Sequence, residues 1–152
     1  MKKFLSIRKL NQSYQGGISS FSLFLLILSF LKFKSKQNNS EEYLGSLLIE
    51  FLMFYSDFDF YNSIIRPNEQ DPNNIFLLND IINNIYKYNI YIVDPITGLN
   101  VAKSTFKIED IKKAFKDGYD IIMGNLYKIK NNENSIDTNN NKTILEHLFF
   151  DK

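Results

Sequence analysis

Leu10-Asn11-Gln12-Ser13-Tyr14-Gln15-Gly16-Gly17-Ile18-Ser19-Ser20-Phe21-Ser22-Leu23 carries a polar loop, through two glycines and two serines, straight into an apolar segment that runs to Phe33. Paired glycines open backbone conformations closed to other residues and let the chain come close to a ligand. Ser19 or Ser20 is the natural N-cap of the following helix, because a short hydroxyl side chain can accept from the unpaired amides of the first turn. Those amides, the hydroxyls and the positive end of the helix dipole together suit a phosphate group. The same pattern also describes a plain loop-to-helix junction, so the surrounding chain has to decide between the two.

Phe21 to Lys34 is apolar around most of its circumference, which predicts the central helix of a bundle. Upstream, Met1 to Leu10 reads as the tail end of a helix, as though the chain began inside a domain. Downstream, Ser35 to Ser40 is a polar loop, and Ser40 is the expected N-cap of a helix from Glu41 to about Tyr55. Leu44, Leu47, Leu48, Phe51 and Leu52 give that helix an apolar face at three- and four-residue spacing. Asp57 to Ile65 alternates loosely like a short strand and stops at Pro67; Asn68 to Asn74 is a loop. Phe76 to Tyr88 repeats apolar residues at helical spacing, and Asn89 to Val93 fits a strand that delivers Asp94-Pro95 into a loop reaching Asn100. Ile108 to Met123 is amphipathic, with Ile111, Ala114, Phe115, Tyr119 and Ile122 on one side. Asn131 to Lys142 is Asn-rich and expected to be disordered, and Thr143 to Phe150 would form a last short helix docking on the body. The expectation is a mainly α fold: a helical bundle with one or two short β-strands over residues 1–130, an insertion over 131–142 and a terminal helix over 143–152.

Composition narrows the chemistry. A chain of 152 residues fits one domain, and a hydrophobic share of 44% is ordinary for a globular protein, so a sizeable core is available. Eighteen basic against seventeen acidic residues leave a charge near zero, which does not by itself advertise a nucleic-acid binder. The absence of cysteine excludes disulfides, thiolate zinc sites and cysteine nucleophiles. A lone histidine, His147, makes a histidine-based metal or catalytic site improbable. The apolar run from Phe21 to Phe33 is shorter than the roughly twenty residues a spanning helix needs and ends at Lys32 and Lys34, so no membrane role is expected.

Three blocks shift the reading of the junction towards a ligand. Lys2, Phe4, Leu5, Arg8, Leu10, Asn11, Gly16, Gly17, Ser20, Phe21, Ser22 and Leu23 stand where the poly(A) RNA polymerases of the DNA-polymerase-sigma type, the RNA-tailing subunits of TRAMP-like complexes, carry matching residues. Tyr43-Leu44-Gly45-Ser46-Leu47-Leu48-Ile49-Glu50-Phe51 is similar to that family's Asn-Leu-Gly-x-Leu-Leu-Ile-Glu-Phe segment. Asp94-Pro95 and Asn100-Val101-Ala102-Lys103-Ser104-Thr105-Phe106 are similar to its nucleotide-recognition loop. The blocks follow the family's order from Lys2 to about Ile122, and the chain resembles the PAP-associated central helical domain, a fold like the substrate-binding domain of poly(A) polymerases and oligoadenylate synthases. The resemblance implies that Lys2, Ser19 and Ser20 hold a triphosphate, that Phe21 stacks on the base, and that Asp94, Asn100 and Lys103 face the base. Carboxylate and amide edges can pair with a base, and lysine and hydroxyl groups suit phosphate oxygens. Two departures bear on this. The family more often has Tyr at the Phe21 position, and Leu99 stands where a polar reader is common, which leaves ATP and UTP both open.

Gly45-Ser46 followed by Asp57-Phe58-Asp59 also has the spacing of a nucleotidyltransferase metal motif, with Asp94 available as a third carboxylate. That motif needs a strand feeding the Gly-Ser and another carrying the aspartates. Asn38 to Glu42 is polar instead, and the same residues match the helical block above, so a helix followed by a surface strand is the better expectation and no catalytic or metal-binding residue is assigned. By resemblance, the family's palm domain, with its catalytic aspartates and Mg2+ or Mn2+, would precede Met1; the chain alone would then be inactive, with ATP as substrate of the whole enzyme. The resemblance further implies an RNA 3′ end, zinc-knuckle RNA-binding and helicase partners, and a nuclear or nucleolar place. The rivals are a non-enzymatic interaction module that retains the helical body, and a minimal nucleotidyltransferase built on Asp57, Asp59 and Asp94. Lys112, Lys113, Lys116 and Lys128 read as a solvated face that could track RNA phosphates.

Overall fold

The computed structural model describes residues 1–35, 43–69, 75–78, 88–130 and Leu148. In chain order they form α1 (Lys2–Ile7), a 3₁₀ turn (Ser13–Gln15), α2 (Ser20–Ser35), α3 (Leu44–Asp57), β1 (Ser63–Ile65), β2 (Phe76–Leu78), β3 (Tyr91–Ile92) and α4 (Ile108–Lys130). The fold is mainly helical, as the periodicities predict. Its small sheet has the order β2-β1-β3. β1 and β2 run antiparallel with Ile64 opposite Leu77, while β1 and β3 run parallel with Ile65 opposite Ile92.

The core forms where α3 crosses α4 and α2. Phe51 and Tyr55 lie one turn apart on α3, so their rings meet at 4.9 Å in an edge-on arrangement. Phe115 of α4 meets Phe51 at 5.6 Å, and Phe30 of α2 meets Phe51 at 5.5 Å. Tyr55 is fully buried, which is tolerable because its hydroxyl donates to the Leu26 carbonyl at 2.8 Å. Burial also pushes its pKa well up. Ile111, Ala114, Phe115 and Ile122 of α4 are all buried, as their spacing predicts, and the helix continues past Met123 to Lys130. At the far end of the chain, Leu148 is buried and its carbonyl accepts from the Arg8 guanidinium at 3.4 Å. The Asn-rich stretch at 131–142 and the rest of the expected terminal helix lie outside the described residues.

Several elements differ from expectation, each for a long-range reason. α3 starts at Leu44 with Tyr43 as its cap residue; Ser40 lies outside the described residues. The helix continues through Asp57, so the expected strand over Asp57–Ile65 shrinks to Ser63–Ile65. Between them Phe58 and Phe60 fold back onto Tyr55, with ring separations of 5.6 and 5.7 Å. Phe76–Leu78 is a strand rather than the start of a helix, because its backbone pairs with β1 and tertiary pairing outweighs the helical spacing. α2 is not enclosed: Leu23, Leu25, Leu26 and Phe30 are buried while Phe21, Phe24 and Leu31 are exposed. Among the described residues, no helix is long and apolar enough to cross a membrane.

Candidate nucleotide-binding site

The loop that precedes α2 is built by its glycines. Gly16 adopts the left-handed conformation at φ 85°, and a Cβ there would stand 2.4 Å from the Phe106 ring. A Cβ on Gly17 would stand 2.4 Å from the Leu10 carbonyl oxygen. The glycines are therefore required for close approach, but the groups they approach belong to the protein rather than to a ligand. Backbone hydrogen bonds hold the turn: Gly17 N–H donates to the Gln12 carbonyl at 3.0 Å and Ile18 N–H to the Leu10 carbonyl at 2.8 Å. The segment after the loop from Asp94 to Ser104 closes over it, with Lys107 N–H donating to the Gly16 carbonyl at 2.9 Å and the Thr105 hydroxyl to the Gly17 carbonyl at 3.3 Å.

α2 then begins at a well-formed cap. Ser19 Oγ accepts from the Ser22 amide at 3.0 Å and donates to Ser22 Oγ at 2.9 Å. Ser22 in turn donates to the Val101 carbonyl at 3.2 Å, a tie across 79 residues of sequence. The helix N-terminus and the loop from Asp94 to Ser104 are thus one structural edge. Ser20 and Phe21 stand at the start of α2 on this edge, and Phe21 is 47% exposed. Lys103 is exposed in the turn two residues beyond Val101. Lys2 is exposed on α1, and no hydrogen bond or ion pair among the described residues ties it to the edge.

The loop itself is a tight hairpin. Val93 and Asn100 bridge across it, Asp94 N–H donates to the Leu99 carbonyl at 2.8 Å, and Gly98 takes a left-handed φ of 71°. Asp94 closes the turn, accepting from the Thr97 hydroxyl at 2.7 Å and from the Ile96 amide at 3.0 Å. The Thr97 hydrogen bond, followed by the Ile96 amide, holds this carboxyl below the ordinary range. Asn100 corrects an expectation, because its side chain turns inward and is only 5% exposed. Its Oδ1 accepts from the Ile92 and Ala102 amides at 3.1 and 2.9 Å, and its Nδ2 donates to the Ile90 carbonyl at 3.0 Å. Asn100 therefore fixes the end of β3 to the loop instead of presenting an edge to a base. Ser22 and Thr105 do the stitching that residue spacing did not reveal, since their partners are distant in sequence.

Asp57, Asp59 and Asp94 do not converge. Asp57 closes α3, Asp59 accepts from the Asn62 side chain at 2.8 Å, and both line a groove with Phe30 and Phe54, whereas Asp94 lines a different cleft with Arg66 and Tyr91. Among the described residues, no group of three or more acidic or histidine side chains could hold a metal ion. These residues do not fit a two-metal site.

Comparison with known proteins bears on the fold. The model of the Cid1 family poly A polymerase matches residues 43–100, which run from the start of α3 to Asn100. The chain is similar to poly(A) RNA polymerase cid14 of Schizosaccharomyces pombe, 30% identical over 147 residues, a match to 85% of this chain and 20% of that protein. It is also similar to the inactive non-canonical poly(A) RNA polymerase protein Trf4-2 of Drosophila melanogaster, 30% identical over 123 residues, covering 76% of this chain and 30% of that one. Among solved structures it resembles the polymerase core of TRAMP, an RNA surveillance complex, with a TM-score of 0.80 and 26% identity over 99% of this chain and 48% of that one. The chain thus spans a third or less of these curated relatives and about half of the solved one. Residues 43–100 thus match the Cid1 family of poly(A) polymerases, and the fold built around them is similar to that of the TRAMP polymerase core.

Proposed function

We propose that this chain supplies the nucleotide-binding half of a template-independent poly(A) RNA polymerase that adds AMP from ATP to RNA 3′ ends. The observation that carries this reading is the Ser19–Ser22–Val101 chain of hydrogen bonds, which holds the start of α2 and the recognition loop together. A triphosphate placed there meets the positive end of a sixteen-residue helix and the Ser20 hydroxyl. The exposed Phe21 ring offers a face for the base, and Asp94 and Lys103 stand on the loop side. Because the described carboxylates do not converge, this reading puts the Mg2+ or Mn2+ chemistry on a palm domain outside these residues, and the chain alone transfers no nucleotide. Likeness to the TRAMP polymerase core supports an RNA substrate and partner subunits; zinc-knuckle and helicase identities for those partners and a nuclear setting belong to the proposal alone.

The test is equilibrium dialysis of the chain against labelled ATP and, in parallel, UTP. Stacking on an aromatic ring contributes about 1–3 kcal/mol per base, so Phe21→Ala should weaken binding roughly 5- to 150-fold. Ser20→Ala should weaken it less. ATP binding unchanged in Phe21→Ala, or absent at about 1 mM in the wild type, overturns the proposal. A second reading, a non-enzymatic interaction module, is favoured by the exposed Phe21, Phe24 and Leu31 on one side of α2. It requires no nucleotide affinity, so the same dialysis separates the two.

A further inference from the structure

α1 ends in an unusual way. Leu10 N–H donates to the Leu5 carbonyl at 2.9 Å and Lys9 N–H to the Ser6 carbonyl at 3.0 Å, the two bonds of a Schellman turn. The residue that must turn left-handed in this motif is usually glycine, yet here it is Lys9, at φ 56°. It is the one non-glycine residue with positive φ among the described residues. A lysine held where glycine is preferred invites a reason outside the fold.

Lys9 lines an open cleft of about 440 Å³ between the end of α1 and the first turns of α4, together with Arg8, Lys107, Asp110, Lys113 and Asp117. The two carboxylates do not cancel the four cations. Arg8 is engaged by the fold: its guanidinium sits 3.9 Å from the Phe4 ring, donates to the Phe4 and Leu148 carbonyls, and faces the charge of Asp117. That leaves Lys9, Lys107 and Lys113 with Asp110, and no ion pair to a described residue engages any of the three lysines. None of the nucleotide-site candidates lines the cleft. Phe106, 61% exposed, directly precedes Lys107, and Tyr14, 78% exposed, stands on the Gly16 loop against which Phe106 packs. Cations along an open groove, with an exposed aromatic residue next in the chain to one of them, suit a strand of phosphates and bases better than an acidic protein surface.

We propose that the cleft carrying Lys9, Lys107 and Lys113 holds the phosphate backbone of single-stranded RNA. This rests on the polymerase reading only for the choice of RNA, and it adds a second contact surface apart from the nucleotide site. The test is fluorescence anisotropy of the chain with a fluorescein-labelled oligoadenylate of about 20 nucleotides, titrated at several salt concentrations. Each neutralised phosphate contact on a single strand contributes about 0.7 to the slope of log K against log salt, so Lys9→Gln/Lys107→Gln/Lys113→Gln should lower that slope by about 2. Its affinity near 100 mM salt should fall by roughly tenfold or more. Lys9→Gly is the sharper variant: it relieves the left-handed strain, so its melting temperature holds or rises while RNA binding weakens. Unchanged affinity and slope in the triple variant overturn the proposal, as does Lys9→Gly binding RNA like the wild type. Polyglutamate bound in place of RNA overturns it in favour of an acidic partner. ATP dialysis on the same triple variant should match the wild type, so a failure here leaves the nucleotide reading standing and the reverse is equally visible.

Discussion

Asn100→Ala is the substitution that separates a structural amide from a base reader. It removes an acceptor shared by the Ile92 and Ala102 amides and a donor to the Ile90 carbonyl. Ile90 and Ile92 are fully buried and Ala102 is 1% exposed, so water cannot readily replace the lost partner. Leaving a buried backbone group unsatisfied costs about 1–3 kcal/mol, and two amides and a carbonyl are affected. Some relaxation of the loop discounts the sum, which leaves about 3–4 kcal/mol, a large part of the 5–15 kcal/mol typical of a folded domain. Urea unfolding followed by circular dichroism reads this directly: with a slope of about 1–3 kcal/mol per molar, the midpoint should fall by roughly 1–4 M. Asn100→Asp should be comparably destabilised, because it keeps the acceptor but sets a carboxylate against the Ile90 carbonyl. A loss below about 1 kcal/mol in Asn100→Ala, coupled to a large drop in ATP affinity, would refute the structural assignment.

Ser29 is buried in α2 with no hydrogen-bond partner for its hydroxyl among the described residues, so Ser29→Ala should raise stability by about 1 kcal/mol in the same urea assay. Gly16→Ala should cost about 1–2 kcal/mol, since the left-handed backbone is penalised but the exposed Phe106 ring can swing away. Gly17→Ala should cost about 3 kcal/mol or more, because the obstacle is the Leu10 backbone, and equal costs would show that the loop yields. Asp94 and Asp59 are held below the ordinary carboxylate range, chiefly by hydrogen bonds from Thr97 and Asn62. A depressed folded pKa stabilises above the unfolded value, so this contribution is complete above about pH 5 and is lost as pH falls through about 4 and below. Thr97→Val should flatten the acid limb of stability against pH, and an unchanged limb would contradict the assignment.

Features set by neighbours three or four residues apart are legible in the chain itself. Ser19 caps α2 through a bond to Ser22, and Asp94, Thr97 and Gly98 close their own turn. The apolar face of α4 follows from the spacing of Ile111, Ala114, Phe115 and Ile122. Composition likewise excluded thiol chemistry before any fold was known. Nothing local announces that Phe76–Leu78 extends to pair with β1, that Phe58 and Phe60 turn back onto Tyr55, or that the glycine pair makes room for Phe106 and Leu10. Nor could spacing tell that Asn100 points inward while Phe21 stays exposed on a helix apolar all round. Those outcomes depend on partners brought together by closure of the chain, as in the tie from Thr105 to Gly17 across 88 residues. Short-range propensities select the elements; which polar groups are used up inside the fold, and which remain for a ligand, is decided only when distant backbone groups must find partners away from water.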